Sequence, residues 1–95
     1  MSKAARLLDD AVARELATTP GWARDGDAIA RTWRFPDFKA AMIFVNGVAA
    51  LAEKTNHHPD ITIHYSEVVL RLWSHDAGGL TPRDFDLARR IDATL

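Results

Sequence analysis

Apolar residues recur every three or four positions in three stretches of the chain, the spacing of a helix with one buried face. The last stretch has a clear start signal, because Thr81 suits an N-cap, Pro82 the first helical position and Asp84 a capping box. The predicted buried positions of the three helices are Leu8, Val12 and Leu16, then Phe38, Ala41, Met42, Val45, Val48, Ala49 and Ala52, and finally Phe85, Ala88, Ile91 and Leu95.

The boundaries of the first two helices follow from proline, glycine and aspartate. We expect Asp9 to cap the first helix, and Pro20-Gly21 stops it. The second helix begins at Pro36-Asp37. It should end near residues 56–57, because Pro59 disfavours helical geometry at the residue before it.

Four other stretches alternate apolar and polar residues, which is typical of strands. They form two hairpins, the first with residues 22–24 and 28–35 around Asp25-Gly26-Asp27, the second with residues 61–65 and 68–75 around Ser66-Glu67. The order α-β-β-α-β-β-α predicts an α+β fold in which a four-stranded antiparallel sheet carries three helices on one face. Ninety-five residues leave no room for a second core, so we expect a single domain over residues 1–95.

The last predicted strand divides its side chains between the two faces of the sheet. Val68, Leu70 and Leu72 should face the helices, whereas Val69, Arg71, Trp73 and, at the strand's end, His75 should face away. A large exposed Trp is unusual in a monomer, so we expect a homodimer or homotetramer with Trp73 at or near a contact. Arg31 falls on the apolar side of its strand, for which the sequence offers no reason.

Composition excludes several classes of function. The net charge is −1 with Lys and Arg scattered, which argues against a nucleic-acid partner. The chain has no cysteine, so a disulfide framework, a thiol nucleophile and cysteine-ligated zinc are excluded. No stretch approaches the length of a membrane span, and the first ten residues lack an apolar signal segment, so we expect a cytoplasmic protein without a membrane partner.

Three histidines carry the candidate chemistry. His57 and His58 are adjacent at the predicted end of the second helix, and His75 lies seventeen residues after His58. Imidazole is the side chain whose ordinary pKa lies nearest neutrality, so three of them near one another favour proton transfer at physiological pH. His64, in contrast, lies mid-strand on the polar face, where a solvated role is expected.

The histidines admit four interpretations. A histidine at a helix C-terminus can simply cap carbonyl groups. A metal site fits poorly, because adjacent residues point in different directions and zinc ligands on a helix usually lie four apart. A nucleophilic triad lacks a serine in a glycine-flanked turn. Metal-free acid–base catalysis is the fourth, and Trp22, after the Pro-Gly break, could line a pocket or join the first helix to the sheet.

Several separated motifs resemble the pterin-4a-carbinolamine dehydratase family in order and spacing. The resemblance runs from about Leu7 to Ile91. It rests on Pro20-Gly21-Trp22, Phe44-Val45-Asn46-Gly47-Val48-Ala49, Glu53 three residues before Asn56-His57-His58-Pro59, Tyr65, Ser74-His75, Gly79-Leu80-Thr81, Asp84 and Leu87-Ala88-Arg89-Arg90-Ile91-Asp92.

This resemblance implies an enzyme that dehydrates 4a-hydroxytetrahydropterins to quinonoid dihydropterins and so recycles the cofactor of aromatic amino acid hydroxylases. The implied substrate is a small pterin, and no metal or other cofactor is required. By motif, the implied catalytic residues are His57, His58 and His75, and the implied substrate-binding neighbours are Glu53, Trp22, Arg83 and Asp84.

Two alternatives stay open. Mammalian members of this family also bind a homeodomain transcription factor and stabilise its dimer, so the fold can act as a non-catalytic interaction module. Other relatives have a different role in pterin or molybdopterin metabolism. An intact histidine trio favours the enzyme, because binding alone does not need it.

Overall fold

The computed structural model describes residues 5–95, so the first four residues of the predicted domain lie outside the described part. It confirms three α-helices and a four-stranded antiparallel sheet in the predicted order. The elements are α1 Asp9–Ala17, β1 Ala23–Asp25, β2 Ala28–Arg34, α2 Phe38–Thr55, β3 Asp60–His64, β4 Glu67–Leu72 and α3 Pro82–Asp92, with a one-turn 3-10 helix at His75–Ala77.

The sheet buries one face against the helices. Its strand order is β1-β2-β4-β3. On the covered face, Val68 of β4 lies between Trp33 of β2 and Ile63 of β3. The predicted inward residues of β4 (Val68, Leu70 and Leu72) are fully buried, so this part of the sequence interpretation is confirmed. Within residues 5–95, no helix is both long and apolar enough to cross a bilayer.

Helix α2 begins and ends where the sequence predicts. The Asp37 side chain accepts a hydrogen bond from the Ala40 amide at 2.8 Å and caps the first turn. At the other end Asn56 takes the left-handed conformation with a φ of 52°. This conformation is unfavourable for residues with a Cβ atom, but Asn adopts it more readily than most. The His57 amide then donates back to the Ala52 carbonyl at 3.1 Å, closing the helix and turning the chain.

The structure explains Arg31. Its guanidinium lies 3.1 Å from an Asp92 carboxylate oxygen and 4.9 Å from the centre of the Trp33 ring. The guanidinium of Arg31 also occupies the space that a Cβ atom on Gly21 would need. Gly21 has a φ of +91°, a conformation that favours glycine. Arg31 is therefore an internal anchor for the Pro20-Gly21 turn and the end of α3.

Three sequence predictions about element ends are wrong. Helix α1 is preceded by Leu8 as its N-cap, and Asp9 is already helical because the backbone turns one residue earlier. The second hairpin turns at Tyr65 and Ser66, since Tyr65 has a positive φ of 54° and Glu67 already pairs with β3. Strand β4 ends at Leu72, so His75 is not at a strand end.

Candidate active site

The turn at the end of α2 sends the two adjacent histidines in different directions. His57 points inward and is 9% exposed, whereas the side chain of His58 is 55% exposed. The left-handed Asn56 produces this split, because it reverses the chain immediately before the pair. One histidine therefore belongs to the interior and its neighbour to the surface.

Asp84 holds the inner histidine. Its Oδ1 lies 2.6 Å from His57 Nε2, and Asp84 itself has no exposed surface. Its Oδ2 accepts from the Ser74 hydroxyl and from the Thr81 amide, each at 2.9 Å. An ionised carboxylate can only accept hydrogen bonds, so His57 Nε2 must donate here. Nδ1 is thus left as the nitrogen through which a neutral His57 can accept a proton.

The start of α3 positions this carboxylate. Thr81 is the N-cap residue, Pro82 opens the helix, and Asp84 stands in the first turn, where the helix dipole favours a negative charge. The Ser74 and Thr81 hydroxyls lie 2.8 Å apart. Since Ser74 donates to Asp84, Thr81 must donate to Ser74, so both buried hydroxyls and the carboxylate have hydrogen-bond partners.

The outer histidine has its own carboxylate. His58 Nε2 lies 2.5 Å from Glu53 Oε2, which comes from the last turn of α2. Glu53 is largely exposed, with 79% of its side-chain surface accessible. A pair this open to solvent contributes little to stability. Its consequence is orientation, because the bond restricts the rotation of the His58 ring.

His75 reaches the same region by a different route from the predicted one. It opens the 3-10 helix His75–Ala77, and its ring centre lies 4.0 Å from that of Trp73. The prediction that Trp73 is an exposed sheet residue is wrong, because Trp73 lies beyond β4 and is partly buried beside His75. Its indole nitrogen is buried and has no hydrogen-bond partner within residues 5–95.

An open depression of about 300 Å³ brings most of the predicted site residues together. Asp84 and Glu53 are not lining residues of the depression. Each contacts a histidine that is, Asp84 through His57 and Glu53 through His58. Arg83 is held in the wall by Asp76, with Nη2 and Oδ1 2.6 Å apart. The lining residues are Asn56, His57, His58, His75, Asp76 and Arg83.

Trp22 does not line this depression, and its interpretation as a pocket residue is corrected. The ring is 6% exposed, meets Trp33 edge-on at 5.5 Å, and donates from its indole nitrogen to Asp92 at 3.0 Å. Burial in the core beside α3 therefore accounts for it. The sequence analysis missed Asn56 and Asp76 as lining residues, although each is adjacent in the chain to a candidate histidine, Asn56 to His57 and Asp76 to His75.

Three imidazoles around one open depression can both supply and remove protons on a small bound molecule. Two of them carry a carboxylate at Nε2, so their free Nδ1 atoms are the candidates for that exchange. Within residues 5–95, no group of three or more His, Asp or Glu side chains is placed to hold a metal ion.

Comparison with known proteins gives a family for this site. Residues 5–94 match the family model described as pterin 4 alpha carbinolamine dehydratase. A provisionally named pterin-4-alpha-carbinolamine dehydratase of Thermomicrobium roseum is 55% identical over 87 residues, covering 92% of this chain and 94% of the relative. Another with the same provisional name, from Acidobacterium capsulatum, is 52% identical over 91 residues, covering 96% and 99%.

Solved structures agree on the fold. The crystal structure of a transcriptional coactivator/pterin dehydratase from Brucella melitensis superposes with a TM-score of 0.89 at 33% identity, covering 93% of this chain and 96% of that one. A pterin dehydratase-like protein described as a RuBisCO assembly factor in the alpha-carboxysome has a TM-score of 0.67 at 24% identity, covering 77% and 87%. The second likeness shows a shared fold alone.

Removing the inner carboxylate should cost far more stability than removing the outer one. Asp84→Ala leaves three buried donors without their acceptor, so we expect a loss of about 3 kcal/mol or more in the free energy of unfolding. Glu53→Ala, the matched control, breaks an exposed pair and should cost less than about 1 kcal/mol. Urea unfolding followed by circular dichroism measures both losses. Equal losses would contradict the role of Asp84 as the shared acceptor of three buried donors.

Proposed function

This chain belongs to the pterin-4a-carbinolamine dehydratase family, and on that premise we propose that it dehydrates 4a-hydroxytetrahydropterins to quinonoid dihydropterins. One observation carries the proposal within the molecule: His57, His58 and His75 line a single open depression. The family match over residues 5–94 supplies the substrate class.

The proposed reaction needs one proton delivered and one removed. The hydroxyl on C4a leaves as water after it gains a proton, and the proton on N5 is lost, so the N5–C4a bond becomes a double bond. The electron pair of the C4a–O bond leaves with the water, and the pair of the N5–H bond forms the double bond, so the step needs no oxidant or reductant. Acid–base catalysis by positioned groups of this kind typically contributes about 10²–10⁴-fold. We assign both transfers to the trio His57, His58 and His75 as a set.

The surrounding residues have supporting roles in this proposal. Asp84 fixes the ring orientation and tautomer of His57, and Glu53 does the same for His58. Arg83 and the amide of Asn56 line the wall and are available to the polar edge of a pterin. We propose that the product feeds the regeneration of the cofactor of aromatic amino acid hydroxylases.

A second candidate is an interaction role. The name of the Brucella melitensis relative, transcriptional coactivator/pterin dehydratase, is the observation that favours it. A binding module has no use for three imidazoles that face one depression, two of them fixed by carboxylates. The dehydratase therefore remains the main proposal.

A dehydration assay on freshly generated 4a-hydroxytetrahydropterin should distinguish His75 from His64, which serves as the control histidine. His75→Ala should lower kcat/KM at least tenfold, or roughly 1.4 kcal/mol of transition-state stabilisation, with little effect on folding because His75 is exposed. His64→Ala, at the exposed end of β3, should change neither. A silent His75→Ala would remove His75 from the catalytic set.

His57 needs a gentler substitution than His75. It is buried against Asp84, so truncation to Ala would leave the Asp84 carboxylate without one of its donors and change stability as well as chemistry. His57→Gln keeps a donor in reach of the carboxylate and should still lose at least about tenfold in kcat/KM. A normal unfolding curve with lost turnover separates the two effects.

Activity should not depend on a metal ion. Dialysis of the protein against a strong chelator is expected to leave the dehydration rate unchanged, because imidazoles and carboxylates alone can move both protons. A large loss that only added zinc restored would contradict the metal-free mechanism.

We propose that the protein forms a homodimer or homotetramer, with the contact on α2 instead of at Trp73. Ile43 is 65% exposed and Leu95 63%, and they share an apolar groove of about 310 Å³.

Ile43→Glu should lower the mass measured by light scattering after size exclusion. Leu8→Glu places the same charge at an exposed leucine outside the groove and should leave the measured mass unchanged. A wild-type mass of one chain at tens of micromolar would contradict oligomerisation.

A further inference from the structure

A second, smaller pocket adjoins the histidine depression. Its volume is about 160 Å³, and it shares His57 and Arg83 with the depression, so these two side chains lie between the two cavities. Thr55 closes one side and Leu87 forms an apolar wall. The proposed mechanism uses no residue that belongs to this pocket alone.

Helix α3 builds one wall of the pocket by its periodicity. Arg83, Leu87 and Arg90 are spaced by four and three residues, so they lie on one face of the helix in successive turns. At 1.5 Å per residue, Arg90 stands roughly 10 Å along the axis from Arg83. The pocket therefore leads away from the histidines along α3 towards Arg90.

The chemistry of the proposed substrate says what part of it would lie there. The reacting atoms of the pterin are C4a and N5, and C6 is bonded directly to N5. A pterin that presents C4a and N5 to the histidines must place its C6 substituent beside them. That substituent is also the part in which natural pterins differ most, from short hydroxyalkyl chains to chains that end in phosphate or carboxylate.

The charges around the pocket favour one kind of substituent. Arg83 is paired with Asp76 at 2.6 Å, whereas Asp86, which also lines the pocket, shares Arg89 with Glu15, at 3.6 and 2.6 Å. The guanidinium of Arg90 makes no hydrogen bond or ion pair within the described range 5–95. Arg90 therefore offers its N–H donors to a ligand at the far end of the pocket.

We infer that Arg90 is a specificity-determining residue, and that the pocket takes a short C6 substituent ending in an anionic group, a phosphate or a carboxylate. The inference rests on the proposed function for the orientation of the pterin. Arg90 provides up to five donors in a planar fork, which suits either anion. The net charge of the chain is −1, so any preference for an anion has to come from local groups.

Two matched pairs of pterins test this by binding, without turnover. Dihydroneopterin is compared with dihydroneopterin monophosphate, and 6-hydroxymethylpterin with 6-carboxypterin, by fluorescence titration of the full chain. We expect at least one anionic member to bind at least fivefold more tightly than its neutral partner. The pair that shows the larger ratio identifies phosphate or carboxylate as the preferred end group.

Variants of Arg90 assign the preference to its side chain. Arg90→Gln should abolish the ratio while leaving the neutral pterins within twofold, and Arg90→Lys should restore part of it. Arg14→Gln is the control, because it removes the same charge from an exposed position on α1 that does not line the pocket. A wild-type ratio near one, or an equal loss in Arg14→Gln, would overturn the inference.

The dehydration assay keeps the two proposals apart. Dehydration of neutral substrates with no anion preference in binding would leave the proposed function intact and reject the role of Arg90. An anion preference that depends on Arg90 in a protein without dehydratase activity would support the pocket and reject the proposed reaction.

Discussion

The buried carboxylate of Asp84 is the interaction on which both the fold and the candidate site depend. It is fully buried and receives a hydroxyl, a backbone amide and an imidazole. These donors come from the segment after β4, the start of α3 and the end of α2. A buried charge is tolerated only when its acceptor sites are filled, so Asp84 forces these three chain segments together. These segments meet directly beneath His57, which lines the depression.

The same constraint divides the histidines by function. His57 is buried and its tautomer is fixed by Asp84, whereas His58 and His75 are exposed and His58 is oriented by Glu53. The site therefore has one buried reference nitrogen and two exposed imidazoles beside it. That arrangement suits a reaction in which two protons move at adjacent atoms of one bound ring, because different imidazoles of one site can then serve the two atoms.

The periodicity of apolar residues was sufficient to predict the helices, the strands and the inward face of β4, because an element with one buried face repeats its apolar residues at its own period. It was wrong near the helix ends, where Leu8, Phe38 and Leu95 are exposed instead of buried. The motif Thr81-x-x-Asp84 likewise predicted the start of α3. Prediction failed where distant partners decide a side chain's place. Trp22 and Arg31 both depend on Asp92, about sixty or more residues away in the chain, and no local pattern shows that carboxylate. His75 was misplaced because the chain folds back after β4, where Ser74 pairs with Gly79 and encloses His75 in a one-turn 3-10 helix.

Helix α3 explains how such a site can vary without losing its chemistry. Its first turn carries Asp84, which holds His57, and its last turns carry Arg90, whose guanidinium makes no hydrogen bond or ion pair within residues 5–95. Substitution at Arg90 should therefore have little effect on the placement of His57, since Arg90 and Asp84 are separated by almost two turns of a rigid helix. In the role proposed for Arg90, a change of substrate side chain is accommodated at one end of α3, while Asp84 at the other end keeps His57 in place.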